Sequence, residues 1–258
     1  MRIDLYTKCW NDAHMLGFFF RHYDRFVDRY VVYDDGSEDG SIEILQSHPR
    51  VEIRSLHYDD PNSRILSSAS LANECWKESR GSADWVILTD IDEHLSHPDL
   101  VAYLAACKAS GVTLIPAIGY QMFSEVFPEP DVLLEEHLVL GCRYPMMDKV
   151  NILSPADIES IQWGPGRHSG NLSGRIDFPP RDEVLLLHYK YLDFERLYAR
   201  HTKCAARSRA VDVQRGYGFE YFWSRDQLWD DWNSVKSNLV DVRKIDVSAG
   251  VDLVIQRL

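Results

Sequence analysis

The chain has 258 residues, of which 45% are apolar and 26% charged, and its formal net charge is −12. A chain of this length and composition can bury an extensive core, which excludes disorder along its whole length, and it lacks the run of roughly 18 apolar residues that predicts a membrane span. The acidic balance argues against a nucleic-acid backbone as the main partner and favours a bound cation.

The N-terminus enters a strand-like segment at Ile3 with no basic and apolar leader before it. We therefore expect no signal peptide and a cytoplasmic protein that meets the inner face of a membrane only peripherally, if at all. Five cysteines are widely spread and none forms a C-x-x-C pair. This spacing predicts reduced thiols, without a disulfide framework or a cysteine-rich zinc site.

The first 118 residues alternate between strand-like and helix-like patterns. Strands are predicted at residues 3–9, 30–33, 51–56, 85–88 and 112–118. The intervening helices are predicted to start after Asn11 or Asp12 and to cover residues 42–46, 67–79 and 100–108. This order predicts an α/β fold with a mostly parallel central sheet and helices on both faces, in which ligands bind beyond the carboxyl ends of the strands.

Short polar clusters follow three of these strands where the strands end: Asn11 and Asp12, Asp34 and Asp35, and Asp90 and Asp92. Because the carboxyl ends of parallel strands meet at one edge of a sheet, we expect the three clusters to converge there.

After about residue 120, prolines and glycines interrupt the pattern, so we expect loops and short strands that complete a site. A strand is predicted at 185–189, a helix at 193–209 and a further helix at 227–238. We expect one domain over residues 1–225, made of a nucleotide-binding half (1–118) and a half that completes the acceptor and metal sites (119–225). A C-terminal extension, 226–258, follows.

Asp90 and Asp92 flank Ile91 at the open end of an apolar strand. If this segment is extended, both carboxylates project to the same side, and two hard oxygen ligands suit Mg²⁺ or Mn²⁺. Such a cation can neutralise the charge that develops on a departing nucleoside diphosphate. The alternative is an acidic loop that only caps a helix, but the position after an apolar strand in a βαβ series favours the cation site.

Residues 34–41 form an acidic and glycine-rich turn whose carboxylates could bind ribose hydroxyls or a base edge. Asp35, Ser37 and Asp39 also fit an EF-hand loop, but Gln46 stands where that loop needs Glu, and a strand precedes the turn instead of a helix. We reject calcium binding on this ground. A simple helix-capping turn remains an alternative.

His188 and Lys190 lie near the end of an apolar strand, where they could supply an imidazole to the cation and a point charge to a phosphate. A buried structural histidine is the alternative for His188. The next helix carries a basic stripe that faces either a phosphate group or solvent: Arg196, Arg200, Lys203 and Arg207.

Two weaker features remain. The glycine-rich loop 164–170 could close over a substrate, although an ordinary turn has the same composition. His94 and His97 have a spacing that also occurs in zinc sites, but without an H-E-x-x-H pattern we expect them on the surface.

Taken together, these motifs resemble the family 2 glycosyltransferases of the GT-A (Rossmann-like) fold, and within them a soluble bacterial subgroup. The blocks that carry the resemblance occur in the same order, at residues 10–12, 34–41, 90–93, 120–122, 165–168 and 188–192. The chain departs from the processive polysaccharide synthases of the wider family, since it lacks their membrane spans and their Q-x-x-R-W block.

The resemblance implies a metal-dependent, inverting hexosyltransferase of bacterial surface polysaccharide synthesis. Its donor would be a nucleoside-diphosphate sugar, with UDP as the expected nucleotide, and its acceptor a glycan or a lipid-linked glycan. Asp35 would contact the nucleoside, Asp92 and His188 would hold Mn²⁺ or Mg²⁺, and Asp90 would face the ribose or the metal.

The resemblance also implies a carboxylate that deprotonates the acceptor hydroxyl, for which Glu125 and Asp148 are the candidates. Glu93 is a third, although a hydrogen bond to a following helix is the favoured role for it. The remaining residues predicted to bind the nucleotide sugar are Thr7, Trp10, Asn11, Asp12, Asp34, Asn73, Ile91 and Lys190. Those predicted to lie at the acceptor or in the closing loop are Tyr120, Gln121, Met122, His168 and Arg200.

Two other functions remain open at this stage. A sugar-nucleotide pyrophosphorylase shares a related sheet, but it usually carries a glycine- and arginine-containing loop after the first strand, and residues 7–10 differ from such a loop. A catalytically silent protein that binds a nucleotide or a glycan is the second alternative, and indifference of its nucleotide affinity to Mn²⁺ would distinguish it.

Overall fold

The computed structural model describes residues 1–247, which form one large mixed sheet, a small two-stranded sheet and the helices around them. The strands are β1 (Ile3–Cys9), β2 (Arg29–Asp34), β3 (Val51–Ser55), β4 (Trp85–Leu88), β5 (Glu93–Ser96), β6 (Leu114–Ser124), β7 (Leu140–Arg143), β8 (Lys149–Leu153), β9 (Ile158–Ile161), β10 (Leu172–Gly174), β11 (Val184–Leu192) and β12 (Val240–Asp241). The α-helices are α1 (Ala13–Tyr23), α2 (Ser41–Ser47), α3 (Arg64–Glu74), α4 (Leu100–Ala109), α5 (Leu134–His137), α6 (Phe194–Arg207), α7 (Ala210–Gln214) and α8 (Arg225–Ser237).

The large sheet has the strand order β12, β7, β6, β8, β4, β1, β2, β3, and β11 pairs with β6 and β5. Strands β3, β2, β1 and β4 are mutually parallel. Strand β8 is antiparallel to both β4 and β6, so β6 runs in the same direction as β4, and β11 is parallel to β6. The predicted α/β fold with a mostly parallel central sheet is therefore confirmed.

Helices cover both faces of this sheet because alternate strand residues are apolar on each side. On one face, Leu5 and Ile87 belong to an apolar cluster that includes Phe19 of α1 and Leu104 of α4. On the other face, Tyr6 and Val86 pack in a second cluster with Trp76, in the 3-10 helix after α3. The prediction of helices on both faces is confirmed.

Several elements differ from the sequence prediction. The predicted helix 67–79 begins earlier, at Arg64, and turns into a 3-10 helix at Cys75–Ser79. Strand β6 continues to Ser124 instead of ending at 118, since its outer half finds partners in β7 and β11. Strand β5, four residues long, lies directly after the fourth strand, where no element was predicted.

The segment after residue 225 packs on the large sheet through a third apolar cluster. Leu228 and Trp232 of α8 pack on Phe123 of β6 and Tyr191 of β11, and β12 pairs with β7. Residues 248–258 of the predicted C-terminal extension lie outside the described residues. Within residues 1–247, no helix is both long and apolar enough to cross a membrane. All five cysteines are free thiols, and Cys9, Cys75 and Cys107 are buried.

Candidate functional site

A small cleft opens at the carboxyl ends of β1 and β4. Its walls include Thr7 and Asp90, two of the predicted site residues, together with the cationic side chains of Lys8 and Arg167. Side chains of α3 and of the segment that follows it close the far wall. The cleft therefore lies where ligands bind in open α/β sheets.

The segment from Asp90 to Glu93 is a turn, so the prediction of an extended D-x-D segment is wrong. The Glu93 amide donates to the Asp90 carbonyl at 3.1 Å, because the chain reverses here from β4 into β5. The two carboxylates consequently have different partners. Asp90 Oδ1 lies 3.5 Å from Lys8 Nζ, whereas Asp92 Oδ2 lies 3.3 Å from His188 Nε2.

Both carboxylates favour their ionised form. Burial opposes ionisation of Asp92, but the adjacent His188 lowers its pKa below the ordinary value through charge and a hydrogen bond. For Asp90, burial is outweighed by the charges of Lys8 and then Arg167, which hold its pKa well below the usual range. At neutral pH the turn therefore carries two negative charges.

Asp92 and His188 fit two positions of a divalent-cation site. Their facing atoms, a carboxylate oxygen and an imidazole nitrogen, are both accepted by Mn²⁺. His188 Nδ1 is buried, and no described residue pairs with it. Its neighbour across the β6–β11 pairing is Gln121, whose buried Oε1 also lacks a hydrogen-bond partner among the described residues.

Within the part of the chain that the structure describes, no three His, Cys, Asp or Glu side chains are grouped to hold a metal ion. Asp90, the third predicted ligand, faces Lys8. Two protein ligands are nevertheless compatible with Mg²⁺, which usually binds one or two carboxylates and completes its shell with phosphate oxygens and water.

Asp12 lies close to this turn. Its carboxylate accepts from the Trp10 amide at 2.8 Å and from Arg200 Nη2 at 2.9 Å. Burial raises the pKa of Asp12 to about 6, against the opposing effect of Arg200, and the charges of Asp92 and Asp90 add to the rise. The first and third predicted polar clusters thus share one electrostatic environment.

The Trp10 ring is surrounded by guanidinium groups. Those of Arg207, Arg200 and Arg64 lie 3.8, 4.8 and 5.7 Å from its centroid. Asp35, predicted to contact a nucleoside, is bound by two of these groups: its Oδ2 lies 2.6 Å from Arg64 Nη2 and 3.0 Å from Arg207 Nη2. Tyr58 donates to its other oxygen.

Glu93 is enclosed and ion-paired. Its carboxylate lies 2.7 Å from Lys149 Nζ and 3.2 Å from Arg167 Nη2, and it accepts from the Asp90 amide at 3.1 Å. The favoured prediction of a bond to a following helix is wrong, because Glu93 begins β5 and no helix follows directly.

Other residues predicted to bind the nucleotide sugar make internal contacts. Asn73 Oδ1 accepts from the Trp163 amide at 2.7 Å, and Asn11 Oδ1 accepts from the Glu38 amide at 2.7 Å. Asp34 caps the following turn by accepting from the Gly36 amide at 2.9 Å. The Ile91 side chain is buried in the core.

The two predicted proton acceptors differ in accessibility. The Asp148 side chain is fully enclosed, 2.6 Å from Arg143 Nη2 and 2.9 Å from the Gly119 amide. Glu125 follows β6, is 64% exposed in its side chain and pairs with Lys236. Only Glu125 of this pair is open to an incoming ligand.

The residues predicted at the acceptor side are mostly buried. Tyr120, Gln121 and Met122 lie in the buried strand β6, and Arg143 covers the Tyr120 ring at 5.8 Å. Burial lowers the pKa of His168 to about 4, and Lys149 and Arg167 reinforce the shift. Lys190 Nζ lies over the ring of Tyr221 at 5.6 Å.

His94 is buried, so the prediction of a surface position is wrong. It lies in β5 and stacks on His22 at 4.6 Å, while burial lowers its pKa well below the ordinary value. Sequence reasoning also missed Lys8 and Lys149 near the Asp90 turn, whereas Arg167 belongs to the loop 164–170 that was predicted to close over a substrate, and it lines the cleft. A cationic residue directly before Cys9 at the end of β1 was a usable signal for Lys8 alone.

No protein-family model matches the sequence, and no curated protein matches it. Solved structures do resemble it. TarS of S. aureus in complex with UDP is 13% identical over 60% of this chain and 47% of that chain, with a TM-score of 0.38. Mannosyl-3-phosphoglycerate synthase from Rubrobacter xylanophilus is 19% identical over 50% of this chain and 43% of that chain, with a TM-score of 0.34.

A third solved structure, glucosyl-3-phosphoglycerate synthase from Mycobacterium tuberculosis with Mn²⁺, UDP and glucosyl-3-phosphoglycerate, is 20% identical over 46% of this chain and 44% of that chain, with a TM-score of 0.30. The matched regions thus span less than half of each of the three solved chains. Likeness at these scores assigns neither a substrate nor a metal to this chain.

Proposed function

We propose that this protein is a metal-dependent hexosyltransferase that moves a sugar from a nucleoside-diphosphate donor to a hydroxyl of a glycan acceptor. The observation that carries the proposal is the meeting of Asp92 and His188, from different strands, at 3.3 Å beside the cleft that Thr7 and Asp90 line. The ordered motifs that resemble family 2 glycosyltransferases support the same reaction class.

Asp35 supports a uracil nucleotide. Its carboxylate is an acceptor that lies between two guanidinium donors, Arg64 and Arg207. A carboxylate that accepts from a base N3–H would match uracil and mismatch cytosine, whose N3 is an acceptor. A nucleobase that reaches Asp35 would replace one of these contacts.

The donor diphosphate would lie between Lys8 and the Asp92–His188 pair. A Mn²⁺ or Mg²⁺ ion held by Asp92 and His188 would supply Lewis-acid neutralisation of the phosphate charge. Two cationic side chains would also help to neutralise the phosphate charge: Lys8, which lines the cleft, and Arg200, which donates to Asp12. Lys190, at the end of β11, is a further candidate for a phosphate contact.

Glu125 is our candidate for removing the proton of the acceptor hydroxyl in an inverting displacement. It follows β6, which runs parallel to β4, and its side chain is exposed. Asp148 is enclosed by Arg143 and Gly119, which favours a structural role. A growing surface polysaccharide or a lipid-linked glycan, in a bacterial cytoplasm, is the acceptor that the motif resemblance supports.

The experiment is a thermal-shift screen of UDP-, GDP-, CMP- and dTDP-sugars with and without Mn²⁺, followed by an assay of donor hydrolysis. We expect the largest stabilisation from a uracil nucleotide together with Mn²⁺, and slow hydrolysis of its sugar. A nucleotide affinity that is indifferent to Mn²⁺, without turnover of any donor, would instead support a non-catalytic binding protein. The observation that favours this second function is the pairing of Asp90 with Lys8, because it occupies the carboxylate that was predicted as a third metal ligand.

A further inference from the structure

The turn between β4 and β5 is held at both ends by side chains that are distant in sequence. At one end, the Leu88 carbonyl accepts from Asn151 Nδ2 and from Arg167 Nη1, each at 2.8 Å. At the other end, the Glu93 carboxylate accepts from Lys149 Nζ at 2.7 Å and Arg167 Nη2 at 3.2 Å. Arg167 therefore bridges the two ends of the turn.

The same carboxylate also fixes the turn from inside. Glu93 Oε2 accepts from the Asp90 amide at 3.1 Å, and Thr89 Oγ1 donates to the Glu93 carbonyl at 3.0 Å. Residues 89–92 therefore have little conformational freedom. Leu88 before them, Glu93 after them and the Asp90 amide all form hydrogen bonds. We call Glu93, Lys149 and Arg167, with their bonds to the turn, the frame. The Asp92 carboxylate lies outside the frame and contacts His188.

The charged groups of this frame are withdrawn from solvent. The side chains of Glu93, Lys149 and Arg167 are 1%, 6% and 11% exposed. Buried ion pairs are poor sources of net stability, because the desolvation cost offsets most of the attraction, although loss of one partner is costly. We therefore attribute these buried ion pairs to fixing the geometry of the turn, and not to raising the free energy of unfolding.

The backbone at Arg167 is also unusual. Its φ is 60°, directly after Gly166 at 69°, and a non-glycine residue rarely adopts this left-handed region. Such a conformation persists where surrounding contacts hold it, and these conformations cluster at functional sites. In this case it accompanies the two bonds from Arg167 to the turn.

We propose that Glu93, Lys149 and Arg167 are positioning residues that hold the Asp90–Asp92 turn so that Asp92 and His188 form a prearranged half of the cation site. The inference rests on the proposed function. The proposed effect of these residues on the metal passes through Asp92, although Arg167 also lines the cleft.

The test measures Mn²⁺ binding by titration of the full-length protein saturated with UDP, with the electron paramagnetic resonance signal of free Mn²⁺ as the readout. We expect Arg167→Gln to weaken Mn²⁺ binding by about 10- to 100-fold, the size of effect found for groups that orient metal ligands. Because Arg167 also lines the cleft, UDP affinity is measured without Mn²⁺ as well, and it should fall by less than the Mn²⁺ affinity. An equal fall would assign Arg167 to direct nucleotide binding and overturn the inference. Arg167→Lys, which keeps the charge, should recover part of the loss.

Arg80→Gln is the matched control. Arg80 likewise donates to backbone carbonyls, those of Pro155, Ile158 and Glu159, but within residues 1–247 it has no hydrogen bond or ion pair to the turn. We expect this variant to lose stability without a change in Mn²⁺ affinity. If Arg167→Gln behaves in the same way, the inference is overturned.

A second variant covers the case in which Arg167→Gln does not fold. The double change Glu93→Gln with Lys149→Met removes one charge of each sign, so it leaves the charge balance of the frame as it was. For this double variant we expect weakened Mn²⁺ binding and preserved UDP affinity. An unchanged Mn²⁺ affinity would contradict this inference but not the proposed function. A wild-type protein that binds no Mn²⁺ with UDP contradicts the proposed function and this inference together.

Discussion

His188 Nε2 lies 3.3 Å from Asp92 Oδ2, although Asp92 follows β4 and His188 lies in β11. The pair joins the parallel strands of the first half of the chain to the strands of the second half. Either half alone supplies one ligand, so the site depends on the pairing of β11 with β5 and β6. The predictions below follow from this arrangement and from the packing around it.

The first prediction concerns the proton acceptor. Glu125→Gln should lower the turnover number of sugar transfer by about 10²- to 10⁴-fold with little effect on stability, because the exposed carboxylate would be lost as a general base. Asp148→Asn should instead lower the melting temperature, since it removes the charge that pairs with Arg143 inside the protein. Steady-state kinetics and calorimetric melting of both variants check this. The reverse pattern would assign the proton acceptor to Asp148.

The second prediction concerns the nucleobase. Asp35→Asn should weaken UDP binding by about tenfold or more, the effect of losing a hydrogen bond to a charged acceptor. Wild-type protein should bind UDP more tightly than CDP, and the variant should discriminate less between them. Isothermal titration calorimetry measures both. Asp59→Asn, whose carboxylate accepts from Ser70, is a nearby control that should bind UDP like the wild type.

The third prediction concerns pH and stability. Burial lowers the pKa of His201 to about 3, and Lys190 adds to the effect, whereas an unfolded histidine titrates near about 6.5. Between these values the unfolded state binds the proton, so the free energy of unfolding falls as pH falls. The stabilisation is complete above about pH 6.5 and declines toward about pH 3, by about 2 kcal/mol between about pH 6.5 and about pH 5.

His201→Phe should remove this contribution, so its stability should fall less than that of the wild type over the same interval. Urea unfolding at a series of pH values gives both curves. Parallel curves for the two proteins would show that His201 is not the group responsible.

The fourth prediction concerns packing at a close backbone contact. A Cβ added at Gly119 would overlap the Cβ and backbone of Met147, so Gly119→Ala should lower the free energy of unfolding by about 1–3 kcal/mol or more. Gly17, inside α1, has open space around the same position. Gly17→Ala should raise stability by about 0.5–1 kcal/mol through helix propensity. Chemical denaturation of both variants tests the contrast, and a neutral Gly119→Ala would contradict it.

Elements with a strong local pattern could be predicted from the sequence. Strands β1 and β4 have the predicted bounds, β4 because it is a short apolar run between polar residues, and α1 follows from the spacing of Phe19, Phe20 and Tyr23. Strands β5 and β8 could not be predicted, since each has only four or five residues and each finds its place by pairing with strands far along the chain.

The residues of the site also differ in whether they could be predicted from the sequence. The acidic residues after the strands were visible as local motifs, and the structure brings Asp12 and Asp92 into one electrostatic environment. Their partners were not visible, because Arg207 reaches Asp35 and Arg167 reaches Glu93 only through the tertiary fold. The buried position of His94 was missed for the same reason: its burial depends on stacking against His22 of α1.

The most direct measurement is a crystal structure of the protein soaked with UDP and Mn²⁺, with the metal located by its anomalous scattering. The account predicts one Mn²⁺ ion bound to the Asp92 carboxylate and the His188 imidazole, at about 2.0–2.3 Å from each, and bridged to the diphosphate. Nucleotide density with Asp92 and His188 still paired to each other, and no metal between them and the phosphates, would contradict it.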